Sequence, residues 1–344
     1  MRLLFVLLVF FTLFTLTNGF CQKELAKREF TFLFYNTENF FDCENDPLTN
    51  DDEFTPSGNR RWTPARLRAK TERLAKVIAT AGKWNPPAFV GLCEVENITV
   101  LDLLVNSYPL KKNDYRIILK ESADERGIDV AFIYRPDLFK PFNYQSFPLV
   151  DPSDQLFRTR DILLVSGVLN AQDTLHVFVN HWPSRYGGLM ETVRYRKLAA
   201  NKLKEAIENL YLHYPKARII CMGDYNDEPN DVSLKEVLGA IPDRNPFPDG
   251  KMINLSAAWS SCSVKTLKNQ YIWQVFDQWI VSDYFLENRS GLRFLEAKIL
   301  DDHFLVETDL KFGGFKPKRT YVGFTYQEGF SDHLPIVLRV ESAY

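Results

Sequence analysis

The strongest constraint on the fold of this chain is a series of short runs rich in β-branched and aromatic residues, which are typical of β-strands. These runs cover residues 30–35, 89–93, 129–134, 162–168, 176–179, 219–222, 273–281 and 336–340. No stretch repeats, none is of low complexity, and no Gly/Ser-rich linker divides the chain. We therefore expect one α/β domain of about 320 residues, from residue 22 to residue 344.

Two segments between these runs carry the periodicity of amphipathic helices. The first has Thr63 in position to cap a helix, Pro64 as the first helical residue and Gly82 to end it. The second runs from about residue 191 to residue 211, with an apolar stripe that includes Leu203 and Ala206. Strands thus outnumber helices in the expected domain.

The overall charge of the chain argues against one class of function. The 344 residues include 42 Lys and Arg against 44 Asp and Glu, a formal net charge of −2. Such a balance leaves no global field for binding polyanions, which disfavours a histone-like or generic coating protein. Any nucleic-acid contact must therefore come from local basic patches. A hydrophobic content of 45% also excludes a fibrous or disordered chain.

The first residues have the pattern of an export signal. Arg2 precedes an uncharged run of 14 residues, positions 3–16, and an Asn-Gly pair follows soon after. This length suits a signal peptide and falls short of the roughly 20 residues that a spanning helix needs. We expect residues 1–21 to be a signal peptide cleaved after Gly19 or Cys21, and the mature protein to be periplasmic or secreted, with no stable membrane span. Two alternatives stay open: an uncleaved anchor, and a lipoprotein attached through Cys21, which the bulky residue before it disfavours.

The five cysteines show no metal-binding or disulfide pattern. They stand at positions 21, 43, 93, 221 and 262, with no Cys-x-x-Cys pair and no regular spacing. Cys93 and Cys221 lie within apolar runs, so we expect them to be buried free thiols. The sequence therefore indicates neither a zinc site nor a disulfide framework.

Polar side chains stand where several of the expected strands end. Asp224 and Asn226 follow the run at residues 219–222, and because residues two apart in an extended segment face the same side, both would point beyond the strand end. An Asx turn that closes the strand is the alternative interpretation. Comparable polar residues are Asn36, Glu94, His181, Asp277, Asp332 and His333. Several oxygen donors with two histidines and no paired cysteine favour a Mg²⁺ site over a zinc site.

Six motifs give the chain a resemblance to a known family. They are Tyr35-Asn-Thr-Glu-Asn39, Gly91-Leu-Cys-Glu-Val-Glu-Asn97, Gly127-Ile-Asp-Val-Ala-Phe-Ile-Tyr-Arg135, Asn180-His-Trp-Pro-Ser-Arg185, Gly223-Asp-Tyr-Asn226 and Ser331-Asp-His333. Their order and spacing resemble the endonuclease/exonuclease/phosphatase superfamily, the deoxyribonuclease I-like fold, from about residue 30 to residue 340. The resemblance implies a four-layer α-β-β-α sandwich, in which two packed mixed β-sheets are flanked by helices and the active site lies at one rim. Cys93 departs from the pattern, since many relatives carry Gln before the metal-binding Glu.

The resemblance also implies roles for the residues at the strand ends. Glu94 would be the main Mg²⁺ ligand, with Asn36 beside it and Asp332 close to the metal, and Mn²⁺ or Ca²⁺ could substitute. Asp224 would hold or deprotonate the attacking water, and Asn226 would bind a phosphate oxygen.

The implied catalytic set also includes His333, Asp277 and His181. His333, oriented by Asp277, would act as a base or stabilise the charge of the pentacovalent phosphate. His181 would be the general acid for the leaving oxygen. A tyrosine stands near this last position in the abasic-site repair branch, so His181 argues, with the export signal, against intracellular base-excision repair. Among the basic residues near the motifs, Arg160 and Arg185 are the candidates for binding substrate phosphate.

Three functions fit these expectations. The first is an exported Mg²⁺-dependent phosphodiesterase, foremost a nuclease that cuts DNA or RNA without strong sequence preference, because no base-reading module is visible. The second is a phosphatase or a lipid phosphodiesterase that acts on inositol phosphate or sphingomyelin-like head groups. An apolar membrane-contact hairpin would favour it, and the sequence shows no obvious one. The third is a catalytically silent scaffold, which the presence of every nominated residue disfavours. We expect a monomer with no obligate protein partner.

Overall fold

The structure, a computed structural model, describes residues 27–83, 85–242, 250–287 and 291–343. The expected signal peptide at residues 1–21, including Cys21, lies outside the described residues. Within the part of the chain that is described, no helix is long and apolar enough to cross a membrane. The four described cysteines are free thiols, and Cys93 and Cys221 are buried as expected.

The described residues form nineteen strands and four α-helices. The strands are β1 (Lys27–Phe40), β2 (Phe89–Val95), β3 (Arg116–Leu119), β4 (Asp129–Tyr134), β5 (Phe139–Phe147), β6 (Ile162–Leu169), β7 (Asp173–His181), β8 (Ile219–Asp224), β9 (Ile241–Pro242), β10 (Met252–Asn254), β11 (Leu267–Asn269), β12 (Ile272–Gln274), β13 (Asp277–Ser282), β14 (Leu292–Ile299), β15 (Val306–Thr308), β16 (Phe315–Pro317), β17 (Tyr321–Val322), β18 (Thr325–Tyr326) and β19 (Ile336–Ala343). The α-helices are α1 (Pro64–Ala81), α2 (Ile98–Asn106), α3 (Leu189–His213) and α4 (Asp283–Leu286). Short 3₁₀ segments occupy Asp52–Phe54, Leu110–Asn113 and Leu255–Ser261, and a π-helical segment occupies Ser233–Leu238.

Two mixed sheets contain most of these strands. Sheet A has six strands in the order β14-β19-β1-β2-β4-β3, and sheet B has seven in the order β5-β6-β7-β8-β13-β10-β9. In each sheet a long crossover helix joins two parallel neighbours: α1 connects β1 to β2, and α3 connects β7 to β8. Sheet B also contains the short parallel pair β9–β10. The remaining strands form the hairpins β11–β12, β15–β16 and β17–β18.

The two-residue period of β1 sends its side chains into two different cores. Phe32 and Phe34 point into the space between the sheets, where Phe32 stacks on Phe89 with ring centroids 4.0 Å apart. Leu33 and Tyr35 point to the opposite face, which α1 and α2 cover. Helix α3 covers the outer face of sheet B in the same way. The order of layers is helix, sheet, sheet, helix, and the expected four-layer sandwich is confirmed.

The two long helices agree with the sequence patterns. The Thr63 side chain accepts a hydrogen bond from the Arg66 N–H, Pro64 is the first helical residue of α1, and Gly82 ends the helix. Helix α3 extends the second predicted segment at both ends. Helix α2 has no counterpart among the predicted helices, and the Asn97 side chain caps it by accepting from a backbone N–H.

Every predicted strand run contains a strand, with one division. The run at residues 273–281 is split between β12 and β13, because Val275 and Phe276 leave the hairpin and enter the core. Strands β3, β5 and β14, which lie at sheet edges, have no predicted counterpart, and neither have β9, β10, β11 and β15 to β18, which are two or three residues long. Strands β5 and β14 mix polar with apolar residues, since part of an edge strand meets solvent, and β3 has only four residues.

Candidate active site

The polar residues at the strand ends meet at one end of the two sheets. Asn36 lies in β1, His181 is the last residue of β7, and Asp224 is the last residue of β8. The parallel pairs β1–β2 and β7–β8 bring these ends, with Glu94 near the end of β2, to one edge of each sheet. The two edges touch, since Asn36 Nδ2 donates to Asp224 Oδ2 at 3.0 Å. The site therefore spans both sheets.

Asp277 and His333 reach the same edge from antiparallel strands. Asp277 begins β13 opposite Asp224 in the strand register, and its Oδ2 lies 2.7 Å from His333 Nδ1. The segment before β19 is fixed by Ser331, whose hydroxyl donates to the Asn36 carbonyl oxygen at 2.7 Å and accepts from the His333 N–H. His333 Nε2 lies 3.7 Å from Asp224 Oδ2, so both ring nitrogens of His333 face carboxylates.

A β-bulge directs Glu94 into the site. Glu94 has a left-handed φ of 58°, and the pairing of β2 with both of its neighbours shifts register around it. The Thr37 hydroxyl lies within hydrogen-bonding distance of the carbonyl oxygens of Cys93 (2.8 Å) and Glu94 (2.9 Å). The Glu94 carboxylate accepts from the Asn39 N–H at 2.9 Å. Such a backbone conformation costs a non-glycine residue about 1–3 kcal/mol and is found mainly at functional sites.

Asp224 is the carboxylate at the centre of the site. Its Oδ2 lies 3.7 Å from Nε2 of both His181 and His333, and its Oδ1 accepts from the Asn226 N–H at 2.9 Å. Burial raises the pKa of Asp224 to about 7, an effect that His333 opposes and the carboxylate of Asp277 reinforces. A carboxyl group that titrates near neutral pH is suited to accept a proton from water.

The two histidines of the site have opposite protonation preferences. Burial lowers the pKa of His181 well below its ordinary value, and nearby arginines, Arg160 foremost, lower it further. Burial alone would also lower the pKa of His333, but the carboxylates of Asp277 and Asp224 outweigh it and hold this pKa well above its ordinary value. At neutral pH these directions favour a neutral His181 and a protonated His333.

Asp332 is joined to the site through an arginine. Arg319 Nη2 donates to Asp332 Oδ2 at 2.8 Å, and 25% of the Asp332 side chain is exposed. Burial would lower the pKa of Arg319, but the carboxylates of Asp332, Glu38 and Glu94 outweigh it and raise this pKa. Asp332 thus contacts the guanidinium group directly, whereas Glu94 acts on it through its charge.

The donor atoms at this edge fit a hard divalent cation. One possible ligand atom each from Asp224, Asp277 and His333 lie within 4.8 Å of one another, and Glu94 Oε1 lies 3.8 Å from His181 Nε2. A protonated His333 has no lone pair free for a metal, so the carboxylates are the usable donors. Glu94 and Asp332, the expected ligands, are not members of this three-residue cluster. Asp277 Oδ1 is buried and has no hydrogen-bond partner among the described residues. Carboxylate oxygens are the ligands that Mg²⁺ prefers, and thiolates, which would favour zinc, are not part of this cluster.

Asn36 is arranged to orient carboxylates. Its Nδ2 donates to Asp224 and lies 3.4 Å from Glu94 Oε1, while its side-chain oxygen accepts from the Glu38 N–H at 2.9 Å. The amide oxygen is therefore occupied by the backbone. Direct contact of Asn36 with a metal stays a prediction.

The predicted substrate-binding residues adjoin the site and bond to the protein. Asn226 has a left-handed φ of 51°, and its side-chain nitrogen donates to the Trp182 carbonyl oxygen at 3.0 Å. Arg160 donates to the same oxygen at 2.8 Å and to Asp124 at 3.0 Å. Arg185 donates to the Asn226 carbonyl oxygen at 2.7 Å and also bonds to two acidic side chains. Their contacts with a substrate phosphate stay predictions.

Two buried cations on the crossover helices were not among the predicted site residues. Lys70 of α1 and Arg196 of α3 are only 1% and 0% exposed, and both bond to segments at the edge that carries the site. Lys70 stands between Leu67 and Leu74 on the apolar stripe of its helix, and Arg196 precedes the buried Ala199. A lone cation within an apolar stripe is the signal that could have identified them.

Comparison with known proteins extends over nearly the whole chain. The sequence profile of the Endonuclease/Exonuclease/phosphatase family matches residues 31–342. No curated protein sequence matches the chain.

Several solved structures share the fold at low sequence identity. An endonuclease/exonuclease/phosphatase family protein from Bacteroides thetaiotaomicron has a TM-score of 0.55 and 13% identity, over 92% of this chain and 99% of that one. TDP2 from D. rerio, complexed with single strand DNA product, has a TM-score of 0.55 and 14% identity, over 91% of this chain and 98% of that one. Truncated TDP2 from Caenorhabditis elegans has a TM-score of 0.54 and 15% identity, over 91% and 97%. Because the family profile spans both sheets and all the strand-end motifs, the chain belongs to the endonuclease/exonuclease/phosphatase family.

Proposed function

We propose that the protein hydrolyses phosphodiester bonds with the aid of a divalent metal ion, foremost as a nuclease on DNA or RNA, by in-line attack of water. One observation carries the proposal: Asp224, whose carboxyl titrates near pH 7, lies 3.7 Å from neutral His181 and 3.7 Å from charged His333. A proton acceptor for water and a positive charge for the phosphoryl oxygens are thus adjacent. Membership of the family supports a phosphoric ester hydrolase.

Each residue of the cluster has a role that follows from its protonation. Asp224 accepts the proton of the attacking water, and Asn226 donates to a phosphate oxygen. His333, held by Asp277, stabilises the charge that develops on the phosphoryl oxygens, since a raised pKa favours this role over that of a base. Neutral His181 has one N–H to donate to the leaving oxygen, so it polarises that oxygen more readily than it transfers a full proton.

The metal would be held by the carboxylates beside Arg319. Glu94 and Asp332 are the proposed ligands, and Asn36 orients Glu94. A bound Mg²⁺ ion would act as a Lewis acid that offsets charge on a phosphate oxygen, with Mn²⁺ and Ca²⁺ as the substitutes to test.

A polynucleotide substrate is supported by two partly exposed arginines near the site. Arg126, one of the arginines that lower the pKa of His181, has a side chain that is 44% exposed. The Arg319 side chain, which bonds to Asp332, is 40% exposed. Partly exposed arginines suit the phosphates that flank the scissile one. The D. rerio TDP2 structure, which contains a single strand DNA product, supports the same substrate class.

A lipid phosphodiesterase is the second candidate, because hairpin tips near the site expose apolar side chains that the sequence did not reveal. Tyr271 and Ile272, at the tip of β11–β12, are 70% and 66% exposed, and Leu310, between β15 and β16, is 95% exposed. Strand β11 begins beside the site, since Leu267 forms a β-bridge with His333. Exposed apolar tips beside a catalytic edge suit contact with a lipid surface.

A substrate panel decides between these candidates. The mature protein is incubated with plasmid DNA, RNA, sphingomyelin or inositol phosphates, each with Mg²⁺ or with EDTA. Metal-dependent cleavage of DNA or RNA supports the nuclease, and release of a head group or of phosphate supports the second candidate. Asp224→Asn should abolish whichever activity is found, whereas Asp102→Asn, exposed on α2, is the matched control. Turnover of none of these substrates by the folded, metal-loaded protein would leave the silent scaffold.

Export and a monomeric state are also proposals. The support for export is the N-terminal pattern of a short apolar run after a basic residue. Cell fractionation followed by N-terminal sequencing tests it. A mature start after Gly19 or Cys21 in the periplasm or medium is the expected result, and a lipid-modified Cys21 would establish the lipoprotein. Light scattering of the mature protein measures the oligomeric state.

A further inference from the structure

A buried lysine and a buried glutamate hold one loop at the edge of the site. We name residues 318–330, which include the hairpin β17–β18, the Arg319 loop. Lys70 Nζ, on α1, donates to Thr320 Oγ1 at 2.6 Å and to the Phe330 carbonyl oxygen at 2.5 Å. The Glu38 carboxylate accepts from the Thr320 N–H at 2.5 Å and lies near the Tyr321 N–H. Lys70 thus bonds to both ends of the loop, and Glu38 bonds to the end at Thr320.

These two charges lie where water cannot reach them. Lys70 is 1% exposed and Glu38 is 4% exposed. Burial of ionised groups is costly, and well-packed apolar side chains often stabilise a core equally well. What apolar side chains lack is directional hydrogen bonding to particular atoms of a loop. The arrangement therefore serves the conformation of the Arg319 loop more than the stability of the core.

The loop in turn carries residues of the site. It closes on itself, because the Phe330 N–H donates to the Lys318 carbonyl oxygen at 2.5 Å. Arg319 projects from the closed end and donates to Asp332 Oδ2 at 2.8 Å. The chain then passes directly into Ser331, Asp332 and His333. A displacement of the loop would move the Arg319 guanidinium and the backbone that presents His333.

Sheet B contains a matching arrangement. Arg196 of α3 is fully buried and donates to the carbonyl oxygens of Pro183 and Ser184, in the segment that follows His181. Its Nε also lies 2.7 Å from Asp227 Oδ1, three residues after Asp224. Each crossover helix therefore carries one buried cation that bonds to a segment adjoining the site: Lys70 to the loop before His333, and Arg196 to the residues after His181.

We propose that Lys70 and Glu38 are positioning residues, which fix the Arg319 loop so that the Arg319 guanidinium binds an oxygen of the substrate phosphate beside Glu94 and Asp332. This proposal rests on the proposed phosphodiesterase function. It assigns Arg319 as a phosphate-binding residue and makes its position depend on a helix on the outer face of sheet A.

The experiment compares variants of the full mature protein by two independent measurements. The first variant, Thr320→Val, removes only the hydroxyl acceptor of Lys70, and the second, Lys70→Met, removes the buried charge. Arg68→Met is the matched control, because Arg68 is an exposed cationic residue on the same helix. Amide hydrogen exchange reports the protection of residues 318–330, and hydrolysis of bis(p-nitrophenyl) phosphate reports kcat and KM.

We expect faster exchange within the Arg319 loop and a loss of about 10-fold or more in kcat for Thr320→Val and Lys70→Met, since small displacements of a positioned group cost this much. Arg68→Met should match the wild type in both measurements. Adding Arg319→Gln to Lys70→Met should lower kcat little beyond Arg319→Gln alone, because both changes remove the same contact. If Lys70 served stability alone, Lys70→Met would lower the melting temperature, and the kcat losses of Lys70→Met and Arg319→Gln would multiply.

Three results overturn the proposal. Unchanged exchange in the loop would show that Lys70 does not hold it. Faster exchange with kcat within about twofold of the wild type would show that the loop does not position Arg319. If the kcat losses of the two single variants multiply in the double variant, Lys70 and Arg319 act independently. If the wild-type protein hydrolyses no phosphodiester, the proposed function and the role of Arg319 both fail, while the exchange measurement still decides what Lys70 does to the loop.

Discussion

Replacement of Asp277 by asparagine tests the pair of residues on which the catalytic proposal depends. Asp277 Oδ2 lies 2.7 Å from His333 Nδ1, and the exposed fraction of each side chain is 1% and 7%. The substitution keeps the shape of the side chain and removes its charge. It also places an amide nitrogen, a donor, where His333 Nδ1 now meets an acceptor, so the imidazole ring would lose its preferred protonation.

The size of the effect follows from this contact. A hydrogen bond between charged groups contributes about 1.5–3 kcal/mol, and the low exposure of the pair favours the upper part of that range. If the His333 charge is needed in the transition state, this loss corresponds to about 10–150-fold in rate. The changed ring protonation adds to it, as in serine proteases, where removal of the corresponding carboxylate charge costs about 10⁴-fold. We expect Asp277→Asn to lower kcat by about 100-fold or more.

The assay is steady-state hydrolysis of bis(p-nitrophenyl) phosphate at saturating metal, with KM measured in parallel. KM should change little, because Asp277 acts on His333 rather than on the bound substrate. Asp102→Asn, which makes the same chemical change at an exposed position, should leave both constants unchanged. Circular dichroism and the melting temperature establish that each variant is folded.

A folded Asp277→Asn variant that keeps more than about a third of the wild-type kcat would refute the reasoning. Loss of a buried charge pair that stabilises the transition state must lower kcat by more than that. A large rise in KM at constant kcat would be equally damaging. It would place Asp277 in substrate binding and leave His333 without the role assigned to it.

The remaining predictions concern the metal, the substrate and stability. Glu94→Gln should weaken Mg²⁺ binding by about 10-fold or more in calorimetric titration, because it removes the charge of the main proposed ligand, and unchanged affinity would place the metal elsewhere. Lys318→Gln should raise KM for long DNA, with a smaller dependence on salt, while hydrolysis of bis(p-nitrophenyl) phosphate stays constant; equal losses on both would move support to the head-group candidates. Burial lowers the pKa of His176 to about 4, far from the site. As the pH falls from about 6.5 to 4, His176 therefore binds a proton in the unfolded chain but not in the folded one. This difference lowers the free energy of unfolding by up to about 3 kcal/mol near pH 4. In urea unfolding, His176→Asn should lose that part of the pH dependence and keep the rest.

Local patterns in the sequence were sufficient for most of the inner strands and for the two long helices, whereas the four-layer arrangement was implied by the family resemblance. Runs of apolar residues mark the inner strands because each of them is buried on both sides. Both ends of helix α1 were predictable to the residue, since the signals at Thr63, Pro64 and Gly82 each act on the helical turn beside them. The edge strands β5 and β14 could not be predicted in this way, because their partly exposed positions mix polar with apolar residues.

The list of site residues also came from the sequence, through the order of the motifs, but their arrangement did not. Asn36 and Asp224 are 188 positions apart and bond only because sheets A and B pack with the same ends together. The bulge at Glu94 needs hydrogen bonds from β1 and β4 on its two sides. No local pattern contains such information, since it depends on which strands become neighbours.

The tertiary structure alone decided the partners of the charged side chains. The sequence indicates Arg185 as a basic residue beside a motif that could bind phosphate, whereas in the structure it bonds to Asp227 and Asp231. Lys70 reads as an ordinary helix residue, yet it is buried and holds a loop 250 positions further along the chain. A long cationic side chain can reach any acceptor within several ångströms, and burial strengthens whichever pairing the packing allows. Which acceptor lies within reach is a property of the folded layers, and so is the charge state of each histidine at the site.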